Sequence, residues 1–172
     1  MTDTSTNPAY AVCVPGANDP EYLLVAKKFI SYFYSIQDAF DRRDETKNNP
    51  EVQKMNSMAL DAYRAVYRDN SAKTFEGVEI LGKATIGDHL DKTLTFKTIK
   101  YALTTIDAQP GPPPYVIALV TGQLKTDEDR PLPFSNSFLL VCNEVRLPDG
   151  TKQHEITIQN EMFRLGVHNF AA

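Results

Sequence analysis

Tyr115-Val-Ile-Ala-Leu-Val-Thr-Gly-Gln-Leu-Lys125 and Ser135-Asn-Ser-Phe-Leu-Leu-Val-Cys-Asn143 are two long apolar runs joined through a charged tip, Lys125-Thr-Asp-Glu-Asp-Arg130. Runs of this length and composition read as strands. Both are apolar on both alternations, so both are expected to be buried on two faces. Three further strands are expected around them: Lys73–Leu81, with Gly77 marking a tight turn; Thr98–Ala108; and His154–Leu165, which alternates before Met162-Phe163. Gln109-Pro-Gly-Pro-Pro-Pro114 and Leu147-Pro-Asp-Gly150 supply the turn formers of hairpin connections.

Upstream of the strands the period changes from two to between three and four. Tyr22, Val25, Phe29, Phe33, Ile36 and Phe40 share one helical face, and Leu24, Ile30 and Tyr34 widen it. Asp19-Pro20-Glu21 reads as that helix's start, with a capping oxygen, a proline at the first position and an acid at the positive end of the dipole. Asn49-Pro50-Glu51 repeats the signature before a second stripe of Val52, Met55, Ala59, Ala62 and Val66. A short third helix is expected over Lys83–Leu90. The polar segment Asp41–Asn49 reads as a solvated loop. Helices first and strands afterwards predict an α+β domain, a strongly bent antiparallel sheet packed against about three helices. Residues 1–18, rich in Thr, Asn and Pro, read as an N-terminal extension, with a single domain over 19–172.

The 172 residues are 42% hydrophobic and 23% charged, enough apolar content for one packed domain. The net charge is −4 and no Lys or Arg run marks a basic face, which disfavours nucleic acid and anionic membrane as partners. No apolar stretch approaches the roughly 18 residues of a membrane span, and Met1–Asn7 lacks the features of a signal peptide. The expectation is a soluble intracellular domain.

Few residues offer chemistry of their own. His89, His154 and His168 have no neighbour at metal-ligand spacing, and Cys13 and Cys142 form neither a metal motif nor a disulfide framework. The glycines are scattered, so there is no phosphate-binding loop, and no cofactor is expected. The tip Lys125–Arg130 has two readings: a solvated hairpin end, or an acidic platform for a partner's Lys or Arg. Glu76 joins that platform if the sheet brings the two segments together.

Several segments carry a resemblance: Phe29-Ile-Ser-Tyr-Phe-Tyr34, Thr74-Phe-Glu-Gly77, Leu81-Gly-Lys-Ala84, Thr121-Gly-Gln-Leu-Lys-Thr-Asp-Glu-Asp129 and Asn160-Glu-Met-Phe-Arg-Leu-Gly-Val-His-Asn-Phe170. From about Tyr22 onward the sequence resembles the nuclear transport factor 2 family. The resemblance implies a cystatin-like, transport-factor-2-like cone with an apolar cavity, a homodimer through the sheet, and two partners, GDP-bound Ran and the Phe-x-Phe-Gly repeats of nucleoporins. By position it assigns the Ran-binding acidic rim to Glu76, Asp127 and Asp129. It assigns the apolar cavity to Phe75, Leu94, Ile99, Leu132, Met162, Phe163 and Leu165, and a nucleoporin contact to Tyr22. The function it implies is a carrier moving Ran into the nucleus, found in cytoplasm and nucleus and enriched at the pore.

Two other functions occur on such a fold. One is a cofactor that heterodimerises with a messenger-RNA export receptor, and the full acidic set argues against it. The other is a small pocket enzyme, an isomerase or dehydratase, which needs a base inside its cavity. The assigned cavity residues are all apolar, so the expectation is a binding protein without catalysis.

Overall fold

The computed structural model describes residues 7–93, 96–127 and 130–166. The chain forms α1 (Glu21–Asp38), α2 (Pro50–Ala65), β1 (Tyr67–Phe75), β2 (Val78–Leu81), α3 (Lys83–Asp88), β3 (Ile99–Pro110), β4 (Tyr115–Thr126), β5 (Leu132–Arg146) and β6 (Lys152–Leu165). A 3-10 turn, Pro8–Cys13, precedes α1, and a π turn, His89–Thr93, continues α3.

The two helix starts differ although their signatures match. Asn49 caps α2, its side-chain oxygen accepting from the N–H groups of Glu51 and Val52. Asp19 caps nothing in α1. Its carboxylate accepts from the Gly16 N–H at 2.7 Å and pairs with Lys27, two turns along the helix, at 2.5 Å. That use ties the preceding segment to α1. Within the segment Tyr10 and Cys13 are buried. The Tyr10 hydroxyl donates to Oδ2 of Asp38, whose Oδ1 accepts from the Tyr101 N–H at 2.9 Å. Residues 7–18, read from composition as an extension, thus pack onto α1 and β3. Burial pushes the Cys13 thiol up to about 11.

α1 buries Phe29, Ile30, Phe33, Tyr34 and Ile36, while Leu24 stays at the surface. The stripe of α2 is rotated from the expected one. Ala59 and Tyr63 are buried and Met55 is 51% exposed. Two contacts set this rotation: the Tyr63 ring stacks 5.9 Å from Phe33, and the Asn56 amide exchanges two hydrogen bonds with the Asp41 backbone.

The six strands form one sheet in the order β2-β1-β6-β5-β4-β3. Its pairings are antiparallel except for β1, which runs parallel to β6. The chain leaves α2 beside the middle of β6, where the Val66 carbonyl accepts from the Ile158 N–H at 2.7 Å, and continues in the direction of β6. The helices cover one face only. Val116, Ala118, Val120 and Leu124 of β4 point into that core, whereas Ile117 and Leu119 on the other alternation are 47% and 41% exposed. The expectation that β4 is buried on both faces therefore fails within one chain.

Candidate functional site

Register brings the sequence-predicted rim to one end of the sheet. Phe75 ends β1 opposite Phe163 of β6, Leu165 pairs with Phe134 near the start of β5, Leu124 pairs with Leu132, and Ile99 opens β3 opposite Thr126. Glu76 and Asp127 follow the last residues of β1 and β4. Three inter-strand steps separate those strands, about 14 Å on a flat sheet and less on a curled one.

Glu76-Gly77 makes the two-residue turn into β2, with φ of 50° and 84°. Both values are left-handed, which suits the turn that matches strand twist. The Glu76 N–H donates to the Phe163 carbonyl at 3.1 Å, and its Oε1 accepts from the Leu165 N–H. The end of β6 thus fixes this acid. Asp127 is fixed from the other side, its Oδ1 accepting from the Lys97 N–H at 2.9 Å. Backbone N–H groups, that of Lys97 foremost, hold its carboxyl below the usual carboxylate range.

Between the acids lies a column of rings. Phe75 stacks on Phe163 with centroids 5.1 Å apart and planes 3° from parallel, and Phe163 stacks on Phe134 at 5.6 Å. Phe134 can lie flat on β4 only because residue 122 is glycine. A Cβ there would stand 2.3 Å from the Ala102 carbonyl oxygen and 3.0 Å from the Phe134 ring. The His89 ring leans over Phe75 at 4.9 Å, and burial, then Lys73, lower its pKa. Ile99 and Phe163 are buried and Phe75, Leu132 and Leu165 half-buried. Met162 is placed elsewhere: strand alternation turns it to the opposite face, 60% exposed and paired with Ser137, so it does not line this mouth. Leu94 and Asp129 lie outside the described residues.

One step deeper on the same strands the apolar expectation ends. Lys73 and Glu161, 6% and 1% exposed, face each other at 3.5 Å. Glu161 accepts from the Tyr67 hydroxyl at 2.5 Å and from the Asn136 amide at 2.8 Å, and Lys73 donates to the Tyr63 hydroxyl at 2.8 Å. Burial alone would push the Lys73 ammonium down; Glu161 and Tyr63 outweigh it and hold it above its ordinary range. Sequence reading missed this layer. Its one visible signal was a lysine and a glutamate on the inward alternation of strands otherwise apolar there.

The loop after α1 is also more than a solvated connection. Arg42 reaches into the chain and donates to the carbonyls of Leu90, Asp91 and Phe96 at 2.8, 3.1 and 2.8 Å. Its backbone N–H donates to Lys97, and Asp41 bridges Thr98.

At the far end of α1, Tyr22 lines a groove of about 290 Å³ with Val25, Pro113, Pro114, Cys142 and His154. A second groove of about 640 Å³, lined by Leu24, Phe29, Tyr32 and Ile156, shares Val25 and His154 with it. The two make a continuous, largely apolar path beside the helix. Among the described residues no cluster of His, Cys, Asp or Glu has the arrangement of a metal site.

Against known proteins, residues 52–165 match the Nuclear transport factor 2 (NTF2) domain. A Caenorhabditis elegans protein described as a probable nuclear transport factor 2 is 36% identical over 151 residues, 88% of this chain and 97% of that one. The structure of nuclear transport factor 2 from Cryptosporidium parvum superimposes with a TM-score of 0.60 at 26% identity, covering 86% of this chain and 97% of that chain. A chain of the Mex67:Mtr2 complex with a Sac3N peptide shares the fold, with a TM-score of 0.54 at 15% identity over 83% of this chain and 98% of that one.

Proposed function

The chain belongs to the nuclear transport factor 2 family, and from that premise we propose that it is a non-catalytic carrier of GDP-bound Ran through the nuclear pore. Nucleocytoplasmic transport is the role its relatives' names carry. The finer reading rests on one observation: two carboxylates, Glu76 and Asp127, follow β1 and β4 at the same end of the sheet, on either side of a mouth lined by Phe75 and Phe163, each tied by backbone N–H groups of its own chain. Such a site suits a partner that inserts an aromatic ring and sets cations around it, a buried anchor within a ring of charge-assisted hydrogen bonds. Leu132, Leu165 and Ile99 complete the apolar side of the mouth.

Two surfaces serve the other partners in this reading. Tyr22 and the grooves beside α1 take the phenylalanines of nucleoporin repeats. The open sheet face, with Ile117, Leu119 and Met162 exposed and Leu139 paired with Ile117, is covered by a second copy of the chain. A carrier working in this way shuttles between cytoplasm and nucleus and concentrates at the pore.

The alternative is a cofactor that pairs through the same sheet face with a larger export receptor. The test is calorimetric titration with Ran loaded with GDP and, separately, with a GTP analogue. Binding to the GDP form alone is the expected result. Binding to neither form ends the carrier reading and turns attention to a heterologous partner for the sheet.

A further inference from the structure

Asp127 does not face solvent alone. The residue that donates its backbone N–H to this carboxylate, Lys97, also carries an ammonium on a flexible four-carbon stem. That ammonium is held by Asp44, with Nζ 2.5 Å from Oδ2. The bond to Asp44 raises the Lys97 pKa first, with Glu45 and Asp127 acting on it more weakly through space. Lys97 is therefore shared electrostatically among three carboxylates, and one of them owns it.

Asp44 keeps that position because its loop is fastened at both ends. Asp41 exchanges two hydrogen bonds with Asn56 of α2, bridges Thr98, and takes Arg43 in an ion pair at 2.7 Å. The Arg42 guanidinium spans the carbonyls of Leu90, Asp91 and Phe96. On the far side Thr46 and Asn49 close successive turns onto Arg43 and Thr46. Among the described residues, Lys47 also lies 3.9 Å from Asp44, Asp91 with Asp127 acts on Arg42, and the Arg164 guanidinium lies beside Gly77 at the Glu76 end of the rim.

We propose that Asp44 is a specificity-determining residue of the rim, which by retaining the Lys97 ammonium keeps the Asp127 carboxylate open to a partner's cation. The proposal rests on the reading of the rim as the meeting place for basic groups of GDP-bound Ran. Without Asp44, Lys97 turns to its next carboxylates, Glu45 and Asp127, and the second choice neutralises the rim from within. Asp44 itself need not touch the partner.

The test is a double-mutant cycle of Asp44→Asn and Lys97→Met, titrated with GDP-loaded Ran at low and at high salt. Exposed ion pairs of this kind change affinities by roughly two- to fivefold, and low salt enlarges the effect. Asp44→Asn should weaken binding by about that factor, Lys97→Met should leave it equal or tighter, and Asp44→Asn added to Lys97→Met should do nothing further. Where Asp44→Asn alone has no effect, Asp44→Asn with Glu45→Gln removes the fallback, and an unchanged affinity there overturns the proposal. Equal weakening in both Lys97 backgrounds also overturns it, because Asp44 then acts on the partner directly. If the wild-type protein does not bind Ran, the carrier reading fails and the relay is judged by NMR titration of the Asp127 carboxyl. A further fall of its pKa in Asp44→Asn that is lost on the Lys97→Met background sustains the relay; an unmoved titration ends it.

Discussion

Two layers of the same cone interior, one inward step apart on the same strands, are built on opposite principles. At the mouth, β1 and β6 place Phe75 opposite Phe163; one step deeper they place Lys73 opposite Glu161. The upper layer is apolar, half open and edged by acids. The lower one is ionic, closed, and shut off from solvent by the rings above it. Burial decides what each can be used for. A half-exposed ring or rim carboxylate can be altered while the rest of the fold stays in place. A buried charge is stable only while all its partners are present.

The largest expected effect breaks the lower layer. Lys73→Ala leaves Glu161, 1% exposed, without its counter-ion, and breaking a buried pair on one side typically costs about 3–5 kcal/mol. Urea unfolding should show a midpoint shifted by a corresponding amount, while Lys73→Met combined with Glu161→Leu, which removes both charges, should recover most of the loss. A single substitution that lowers stability by less than about 1 kcal/mol would mean that the pair is solvated and the contrast between the layers is false.

The mouth should behave in the opposite way. Glu76→Gln and Asp127→Asn keep an oxygen to accept from Leu165 and Lys97 but remove the charge that a cationic partner needs. Together they should weaken binding of GDP-bound Ran by roughly a hundredfold with the melting temperature unchanged. A fall in melting temperature comparable to that of Lys73→Ala would make the acids structural.

The sequence shows these layers unequally, for physical reasons. The spans of β3 to β6 and the α+β order were legible because the periods of two and of three to four persist over long segments; β1 begins at Tyr67, six residues before the expected Lys73, in a polar stretch that carries no strand period. The acids themselves were visible, Glu76 beside Gly77 and Asp127 in the charged tip, but only the strand register, which no local pattern shows, brings the two to one end of the sheet. Met162 was misplaced because a position matched by resemblance does not say which face of a strand it occupies; alternation from the buried Phe163 does. The Lys73–Glu161 layer was hidden because its members are separated by 88 positions and joined only by the parallel pairing of β1 with β6, which no local period encodes. The same holds for Asp19, whose capping signature is overridden by Lys27, and for Tyr10, buried by a contact with Asp38 that composition cannot reveal.

His89 links the two layers, its ring over Phe75 and its proton affinity lowered by burial and by Lys73. A depressed histidine is neutral in the folded chain where the unfolded chain, with a pKa near 6.5, already takes up a proton. The stability this contributes is complete above about pH 6.5 and is lost as the pH falls to the folded value. Melting temperatures measured from pH 7.5 downward should decline in this window, and the decline should be shallower in His89→Gln. The difference between the two curves isolates His89 from His154 and His168. Identical curves would detach His89 from the layer beneath it.

The smallest effect is expected farthest from both layers. Tyr22 is half-buried at the start of α1, with its ring in the groove formed with Pro113, Pro114 and Cys142. A tyrosine offers a flat apolar face to a phenylalanine ring, worth about 0.5–1.5 kcal/mol in such pairs. Tyr22→Ala should therefore weaken binding of a Phe-x-Phe-Gly peptide by roughly three- to tenfold and leave Ran binding unchanged, since the grooves beside α1 are remote from the mouth along the strands. Titration of one preparation of the variant with both ligands separates the possibilities. Loss confined to the peptide assigns the groove to the repeats. Equal loss of both would show that α1 transmits a change at its first turn to the sheet end, and that mouth and helix groove are one cooperative unit.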